Sequence, residues 1–444
     1  MHLRERIGSA WKWLAPGMGV KRGLVLLGFG LLLLSLGVSF FYVQLYRTLE
    51  FTGAALPIAY DVTLQFLPRW LRGLILAVLG ITCVALAVFR LSRSLVSVFY
   101  DSGRESVVDV VYRRRMRQRG PKIVAIGGGT GLSTLLRGLK ERTDHLTAIV
   151  TVADDGGSSG RLRQELGLLP PGDLRNCITA LAEAEPLMGL LFQYRFGEGL
   201  RSSPSEGAQG LNGHSFGNLF IAAMTGVTGD FAEAIRQSSK VLAVRGRVLP
   251  STMQSVTLCA ELTEEPTVEA QHQVQGESLI PKAGAPIERV FLQPDDVRGY
   301  GEAVQALLSA DMIVVGPGSL YTSILPNLLV KDIAAAIRAS DAARVYVCNV
   351  ATQAGETDGY SAGEHVRAIE NHVGEGLFDY VVVNDKLEVN EPTHWNARMV
   401  KPHAEGSYRV WPADLVDAET AWRHDPHKLA QALMAVYADH RRRG

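Results

Sequence analysis

The sequence predicts an α/β fold in which a parallel, doubly wound sheet is preceded by two transmembrane helices. Two long apolar stretches lie near the start of the chain, and short apolar, β-branched runs recur after residue 121. Most of those runs end in glycine, hydroxyl or acidic residues. Buried parallel strands are typically continuous apolar runs, and such sheets bind ligands beyond the carboxyl ends of their strands. A chain of 444 residues has room for both parts.

The two apolar stretches predict a membrane hairpin. Residues 23–46 carry no charge and are long enough to cross a bilayer, and residues 73–89 lie at the short end of the spanning range. The second span makes a cleaved signal peptide the less favoured alternative. Basic residues are concentrated before the first stretch and after the second. This bias predicts that both chain ends lie in the cytoplasm and that the protein lies in the inner, or cytoplasmic, membrane.

This interpretation divides the chain into three segments. Residues 1–95 form the membrane hairpin, residues 96–120 form a basic juxtamembrane linker, and residues 121–444 form a nucleotide-binding domain. The linker contains VVYRRRMRQRG at residues 110–120, which either attracts anionic lipid or is simply solvated.

Composition argues against several classes of function. The 45 basic and 45 acidic residues balance, so the sequence shows no bias toward nucleic acid. The four cysteines are far apart and form no CxxC pair, which argues against a metal–thiolate site and fits a reducing compartment. There is no GxSxG elbow, no HExxH motif and no complete Walker loop. We therefore predict no catalytic residue, no metal ligand and no required cofactor.

The most informative segment is KIVAIGGGTGLS, at residues 122–133. Its apolar run predicts a buried strand, its glycines a tight turn, and its threonine and serine the start of a helix. Free N–H groups and the helix dipole at such a turn favour a phosphate. Leu132 stands where the dinucleotide-binding pattern has its third glycine, so a plain tight turn is the alternative.

A second polar turn follows the next predicted strand, at residues 146–152. Asp154 or Asp155 stands at the tip of this strand, where a Rossmann-type site binds a ribose hydroxyl. The glycine and serines at residues 157–159 would form a second anion-binding turn, with Arg161 as a charge partner. The alternative is a solvated turn with helix-capping aspartates.

Further predicted strands at residues 311–315, 344–350 and 378–384 also end in polar turns. Together such turns are what a nucleotide-sugar or dinucleotide site requires, although each alone is consistent with an ordinary loop.

Two more polar turns precede predicted helices. In the first, Asp173 and Arg175 either bind ligand or form a helix cap with its ion pair. In the second, His214 either contacts a phosphate or moves a proton, or is a structural histidine.

These segments together resemble one family. The motifs are GGGTGLS, TVADDGGSSGRLR, PPGDLRNC, GHSFGNLFIAA, GPGSLYTSILPNLL, VCNVATQAGETDGY and a late RHD, and they span residues 122–433. In this order they resemble the bacterial gluconeogenesis factor family, also called YvcK, which is related to the 2-phospho-L-lactate transferase CofD. The resemblance implies a Rossmann-like, CofD-like fold.

The resemblance also implies a function. It implies a regulator that binds UDP-N-acetylglucosamine or a similar UDP-sugar, with NAD as another ligand, and that acts on cell-wall (peptidoglycan) precursor supply and cell shape during gluconeogenic growth. The alternative is a CofD-like transferase that moves a phospho-group on a nucleotide-linked substrate, so enzymatic activity stays open. Expected partners are the bilayer and a cell-wall precursor enzyme, without nucleic acid, and a homo-oligomer stays open.

The candidate ligand-binding residues come from these motifs. They are Gly127, Gly128, Gly129, Thr130, Gly131, Asp154, Asp155, Gly157, Ser158, Ser159, Arg161, Asp173, Arg175, Asn176, His214, Asn218, Gly316, Gly318, Ser319, Asn349 and Arg423.

Overall fold

The computed structural model describes residues 115–183, 186–197, 210–263, 273–388 and 397–443, together with isolated residues between 28 and 84. The chain divides into two units, with the boundary between Met116 and Arg117. Most residues of the predicted membrane spans, 23–46 and 73–89, lie outside the described residues. In the part that is described, no single helix is both long enough and apolar enough to cross a membrane.

Two sheets are described in the second unit. Their strands are β1 (Ile123–Gly127), β2 (Leu146–Val150), β3 (Arg247–Pro250), β4 (Thr257–Leu262), β5 (Gln273–Gln275), β6 (Ile287–Gln293), β7 (Met312–Val315), β8 (Ala343–Val347), β9 (Tyr380–Asn384) and β10 (Arg409–Ala413). Seven of them form one sheet in the order β3-β2-β1-β7-β8-β9-β10, in which every neighbouring pair is parallel. The order of the antiparallel sheet is β5-β4-β6. The predicted α/β fold with a parallel sheet is confirmed.

The direction in which the chain winds reverses between β1 and β7, near the centre of the large sheet. β1 pairs with β2 on one side and with β7 on the other, where Ile126 lies beside Val315. The chain therefore leaves β1 and β7 at the same level of the sheet, and the two following turns meet. Doubly wound sheets bind ligands in the crevice that opens at such a reversal.

Helices and short helical turns connect the strands. In chain order the helices are α1 (Gly129–Leu139), α2 (Gly157–Leu166), α3 (Gly172–Leu181), α4 (Pro186–Gln193), α5 (Phe216–Thr228), α6 (Phe231–Val241), α7 (Gly301–Leu308), α8 (Leu325–Leu328), α9 (Lys331–Ala339), α10 (Ala362–Val373) and α11 (Pro426–Arg443). A π-helical turn, Leu320–Ile324, leads directly into α8.

α1 shows how the sequence positions the crevice. Its four leucines are fully buried at helical spacing, and they fasten the helix to the core. Thr130, Thr134 and Arg137 recur at the same spacing on another face, and all three line the cavity described below. One face of α1 is therefore core and another belongs to the candidate site.

α11 lies against α1 at Gly138. A Cβ at Gly138 would fall on the Pro426 carbonyl oxygen and within 3.1 Å of the Ala430 Cβ. We expect Gly138→Ala to lower the free energy of unfolding by about 1–3 kcal/mol, because overpacking forces α11 to move. Urea denaturation of the full chain measures this.

The matched control is Gly301→Ala at the start of α7, where a Cβ would meet nothing within 4 Å. This variant is expected to change stability by less than about 0.5 kcal/mol. An equal loss in both variants would contradict the packing explanation.

Candidate functional site

The first glycine turn joins β1 to α1. Gly129 has a φ of +60°, in the left-handed region that favours glycine. α1 has no side-chain cap, and its first turn contains no acidic residue. The Gly129 N–H donates to the carboxylate of Asp173. The later N–H groups of the first turn are a favourable place for an anion.

The two turns touch at Gly131. A Cβ there would lie 2.5 Å from the Pro317 carbonyl oxygen and 2.9 Å from the Gly318 Cα. Glycine at this position therefore allows the backbones after β1 and β7 to approach each other. Gly131 was predicted as a ligand residue; it lines the cavity and is also the point of contact between its two sides.

The turn after β7 is braced from the loop that follows β8. The Asn349 Oδ1 accepts a hydrogen bond from the Gly318 N–H at 3.1 Å, and the Asn349 Nδ2 donates to the Gly318 carbonyl at 2.8 Å. Both ends of this amide are therefore used inside the protein. Asn349 lines the cavity and holds the shape of the Gly318 backbone.

Glu356 fills the start of the helical turn after β7. The Ser319 hydroxyl donates to its Oε1 at 2.6 Å, the Thr322 hydroxyl to the same oxygen at 3.2 Å, and the Tyr321 N–H to its Oε2 at 3.2 Å. Burial raises the pKa of this carboxyl, and these donors oppose the rise. The chain's own carboxylate thus occupies a place where the motif alone suggested an external ligand.

Between the two turns lies a cavity of about 930 Å³. Four guanidinium groups line it, those of Arg137, Arg175, Arg195 and Arg423. Among the described residues, no carboxylate lies within ion-pair distance of any of them. We call this set the arginine wall; no described carboxylate forms an ion pair with it, although the charges of Asp173 and Asp154 act on Arg175.

Arg175 is the most enclosed member of the arginine wall. It is 7% exposed, and its Nε has no hydrogen-bond partner in the described structure. Burial and the neighbouring charge of Arg195 lower the pKa of its guanidinium. A buried donor without a partner is costly, so a ligand acceptor at this position would be favourable.

A cluster of carboxyls lies beside the first glycine turn. Asp154 and Asp155 follow β2, Asp173 is in the first turn of α3, and Glu277 reaches the same region from the turn after β5. The Asp154 Oδ1 accepts from the Gly156 N–H at 2.9 Å. Across the described residues, no three His, Cys, Asp or Glu side chains are arranged to hold a metal ion.

Burial and mutual repulsion raise the pKa values of carboxyls in this cluster. Burial, then the charge of Asp154, raises the pKa of Asp173 to about 6. Burial, then the charges of Asp154 and Asp173, raises the pKa of Glu277 to about 8. Glu277 is therefore protonated at neutral pH and can donate a hydrogen bond.

The predicted residues Ser158, His214 and Asn218 form a buried network behind the cavity. The Ser158 Oγ lies 3.0 Å from the His214 Nδ1, and the Asn218 Nδ2 donates to the same Oγ at 3.1 Å. All three side chains are at most 3% exposed. This network ties the start of α2 to the start of α5.

The segment at residues 213–218 also positions the arginine wall. The Arg195 Nη1 donates to the Gly213 carbonyl at 3.1 Å. A Cβ at Gly217 would lie 2.7 Å from the Arg175 Cδ. The GHSFGN motif therefore supports the cavity from behind, which a motif alone does not distinguish from direct ligand contact.

The structure brings about half of the predicted residues to the cavity surface. Those that line it are Gly128, Gly129, Thr130, Gly131, Arg175, Asn176, Gly318, Ser319, Asn349 and Arg423. Those outside its lining are Gly127, Asp154, Asp155, Gly157, Ser158, Ser159, Arg161, Asp173, His214, Asn218 and Gly316. Their ligand contacts stay predictions. Sequence reasoning missed Arg137, Arg195, Glu277 and Glu356.

A family model described as 2-phospho-L-lactate transferase CofD matches residues 123–436. The chain belongs to this CofD-like family. The gluconeogenesis factor of Bacillus subtilis is 46% identical over 71% of this chain and 97% of its own length. A relative from Nostoc sp. is 44% identical over 98% of this chain and 94% of its own length.

A solved structure shows the same fold. The crystal structure of a UPF0052 family protein from Bacillus halodurans is similar to this chain with a TM-score of 0.63 and 47% identity. The match covers 71% of this chain and 99% of that one. The predicted resemblance to the gluconeogenesis factor family is therefore confirmed for the CofD-like domain.

The pKa of Asp173 makes the stability of this domain dependent on pH. Its value of about 6 lies above the ordinary 3.8, so the folded state binds the proton more tightly and the free energy of unfolding falls as pH rises from 4 to 6. The total loss is at most about 3 kcal/mol. We expect Asp173→Asn to be more stable than the wild type at pH 7.5 and equally stable near pH 4, by urea denaturation.

Asp341→Asn, at an exposed position, is the matched control and is expected to match the wild type at both pH values. If Asp173→Asn is less stable than the wild type at pH 7.5, then α1 and Arg175 stabilise the carboxylate more than burial destabilises it.

Proposed function

We propose that this CofD-like protein binds a UDP-sugar, UDP-N-acetylglucosamine or a close relative, in the cavity between the turns after β1 and β7. We propose further that it acts as a regulator of cell-wall precursor supply and cell shape during gluconeogenic growth, through an enzyme of that supply as partner. The observation that supports the binding is the arginine wall. NAD, which also carries a diphosphate, is the other ligand class considered.

A diphosphate suits this cavity for two physical reasons. Guanidinium groups pair with phosphate oxygens through parallel hydrogen bonds, and such charge-assisted bonds are about twice as strong as neutral ones. The first turn of α1 adds backbone N–H groups and the positive end of a helix dipole. The names of the relatives are consistent with the regulatory role.

The second candidate function is a CofD-like phospho-group transfer on a nucleotide-linked substrate. The observation that favours it is the carboxyl cluster beside the first glycine turn, which contains Asp154, Asp155 and Asp173. Carboxylates next to a phosphate site can take up protons or hold a divalent cation during transfer. Binding without turnover is the proposal preferred here, because the Ser158 hydroxyl and His214 lie behind the cavity.

Arg175→Gln tests the binding proposal. The variant removes a buried guanidinium whose Nε has no partner in the described protein. We expect affinity for UDP-N-acetylglucosamine to fall roughly 10- to 100-fold, the equivalent of about 1.5–3 kcal/mol for a hydrogen bond to a charged group. Isothermal titration calorimetry of the full chain in detergent, with UDP-N-acetylglucosamine, UDP and NAD, measures this.

The matched control is Arg289→Gln on β6, where the guanidinium is exposed and paired with Glu261. It is expected to bind as the wild type does. Unchanged affinity in Arg175→Gln would contradict the arginine wall as the phosphate site. Magnesium-dependent consumption of the nucleotide by the wild type, lost in Asp155→Asn, would favour the transferase instead.

We also propose that residues 1–95 attach the protein to the cytoplasmic membrane, with the CofD-like domain in the cytoplasm. The support is the length of the apolar stretches and the basic residues on their outer sides. The full chain is expected to sediment with membranes and to be released by detergent but not by high salt. Release by high salt alone would contradict insertion and indicate attachment through the basic linker.

A further inference from the structure

Four hydrogen-bond donors of the turn after β7 are used inside the protein. The Gly318 N–H donates to Asn349, and the Tyr321 N–H, the Ser319 hydroxyl and the Thr322 hydroxyl donate to Glu356. Thr322 is 2% exposed, whereas Ser319 lines the cavity. What Ser319 can still offer to a ligand is a lone pair on its Oγ.

We propose that Glu356 sets the hydrogen-bond polarity of Ser319, so that this side of the cavity accepts a hydrogen bond from the sugar part of a nucleotide sugar. Glu356 is a positioning residue, and Ser319 is the specificity residue that it controls. The inference rests on the proposed function, and it assigns the two ends of the ligand to different residues of the cavity lining.

The donor and acceptor inventory supports this orientation. A phosphate only accepts hydrogen bonds at neutral pH, so it gains nothing from an oxygen whose hydrogen already points at a carboxylate. The arginine wall, in contrast, is made of groups that only donate. A hydroxyl or an amide N–H of the sugar can donate to the Ser319 Oγ. The phosphates therefore belong at the arginine wall and the sugar beside Ser319.

Burial and several hydrogen bonds hold the Glu356 carboxylate beside Ser319. Glu356 is 8% exposed, and its oxygens receive donors from the Ser319, Tyr321 and Thr322 positions. A carboxylate can only accept hydrogen bonds, so the Ser319 proton points at Glu356 when the neighbouring Thr322 hydroxyl donates to the same carboxylate. Replacing the carboxylate by an amide of the same shape would let residue 356 donate to Ser319 and turn the serine proton toward the cavity.

The test compares UDP-N-acetylglucosamine with UDP by calorimetry on the full chain. Glu356→Gln is expected to lower affinity for the UDP-sugar about three- to tenfold, the value of one hydrogen bond, and to leave affinity for UDP unchanged. Ser319→Ala removes the acceptor itself and is expected to give the same pattern. It serves as the second variant should Glu356→Gln fold poorly.

The matched control is Glu288→Gln on β6, an exposed glutamate whose replacement changes the same charge. It is expected to bind both nucleotides as the wild type does. Equal loss of both nucleotides in Glu356→Gln and Ser319→Ala would place a phosphate at this turn, and no change in either would exclude a sugar contact. Both results overturn the inference. A wild type that binds neither nucleotide would overturn the proposed function, and this inference with it.

Discussion

The contact between the turns that follow β1 and β7 is the constraint on which the candidate site depends. The pairing of β1 with β7 brings both turns to one level of the sheet, and the missing side chain at Gly131 allows their backbones to touch. Because α1 starts at one turn and the Ser319 helical turn at the other, this contact sets the separation of the two sides of the cavity. The arginines and the hydroxyl-rich turn line the same cavity and can contact one ligand.

The turns after β1 and β7 look equivalent in sequence, but each is contacted by a different carboxylate of the protein. Glu356 takes up the donors after β7, whereas Asp173 takes up only the Gly129 N–H after β1. The first turn of α1 therefore keeps the character of an anion site, while the donors of Ser319, Tyr321 and Thr322 after β7 are already paired with Glu356. The same motif, a strand followed by glycines and hydroxyls, thus yields two chemically different surfaces.

Much of the large sheet could be predicted because its central strands are buried on both faces and have continuous apolar sequences. The edge strands β3 and β10 were missed. β3 has only four residues, and β10 contains Pro412, which an edge strand tolerates but which argues against a strand in a sequence. Arg137 could have been found, because it follows Thr130 and Thr134 at helical spacing. Glu356 lies in the polar turn that the sequence indicates after residues 344–350, but its contact with Ser319 could not be predicted. The place of Glu277 could not be predicted either, since only the tertiary fold brings these two residues beside others far away in sequence.

The charged residues around the cavity lower the stability of the fold when no ligand is bound. Arg195 repels Arg175, a repulsion that the charges of Asp173 and Asp154 oppose, and burial raises the pKa values of Asp173 and Glu277. Close charges of like sign destabilise a protein, because their repulsion adds to the hydration that each buried charge loses. An anion of the proposed kind would supply the missing partner for the arginines. Binding and folding free energies are linked, so the features that weaken the empty domain are the ones that would give a phosphate ligand its affinity.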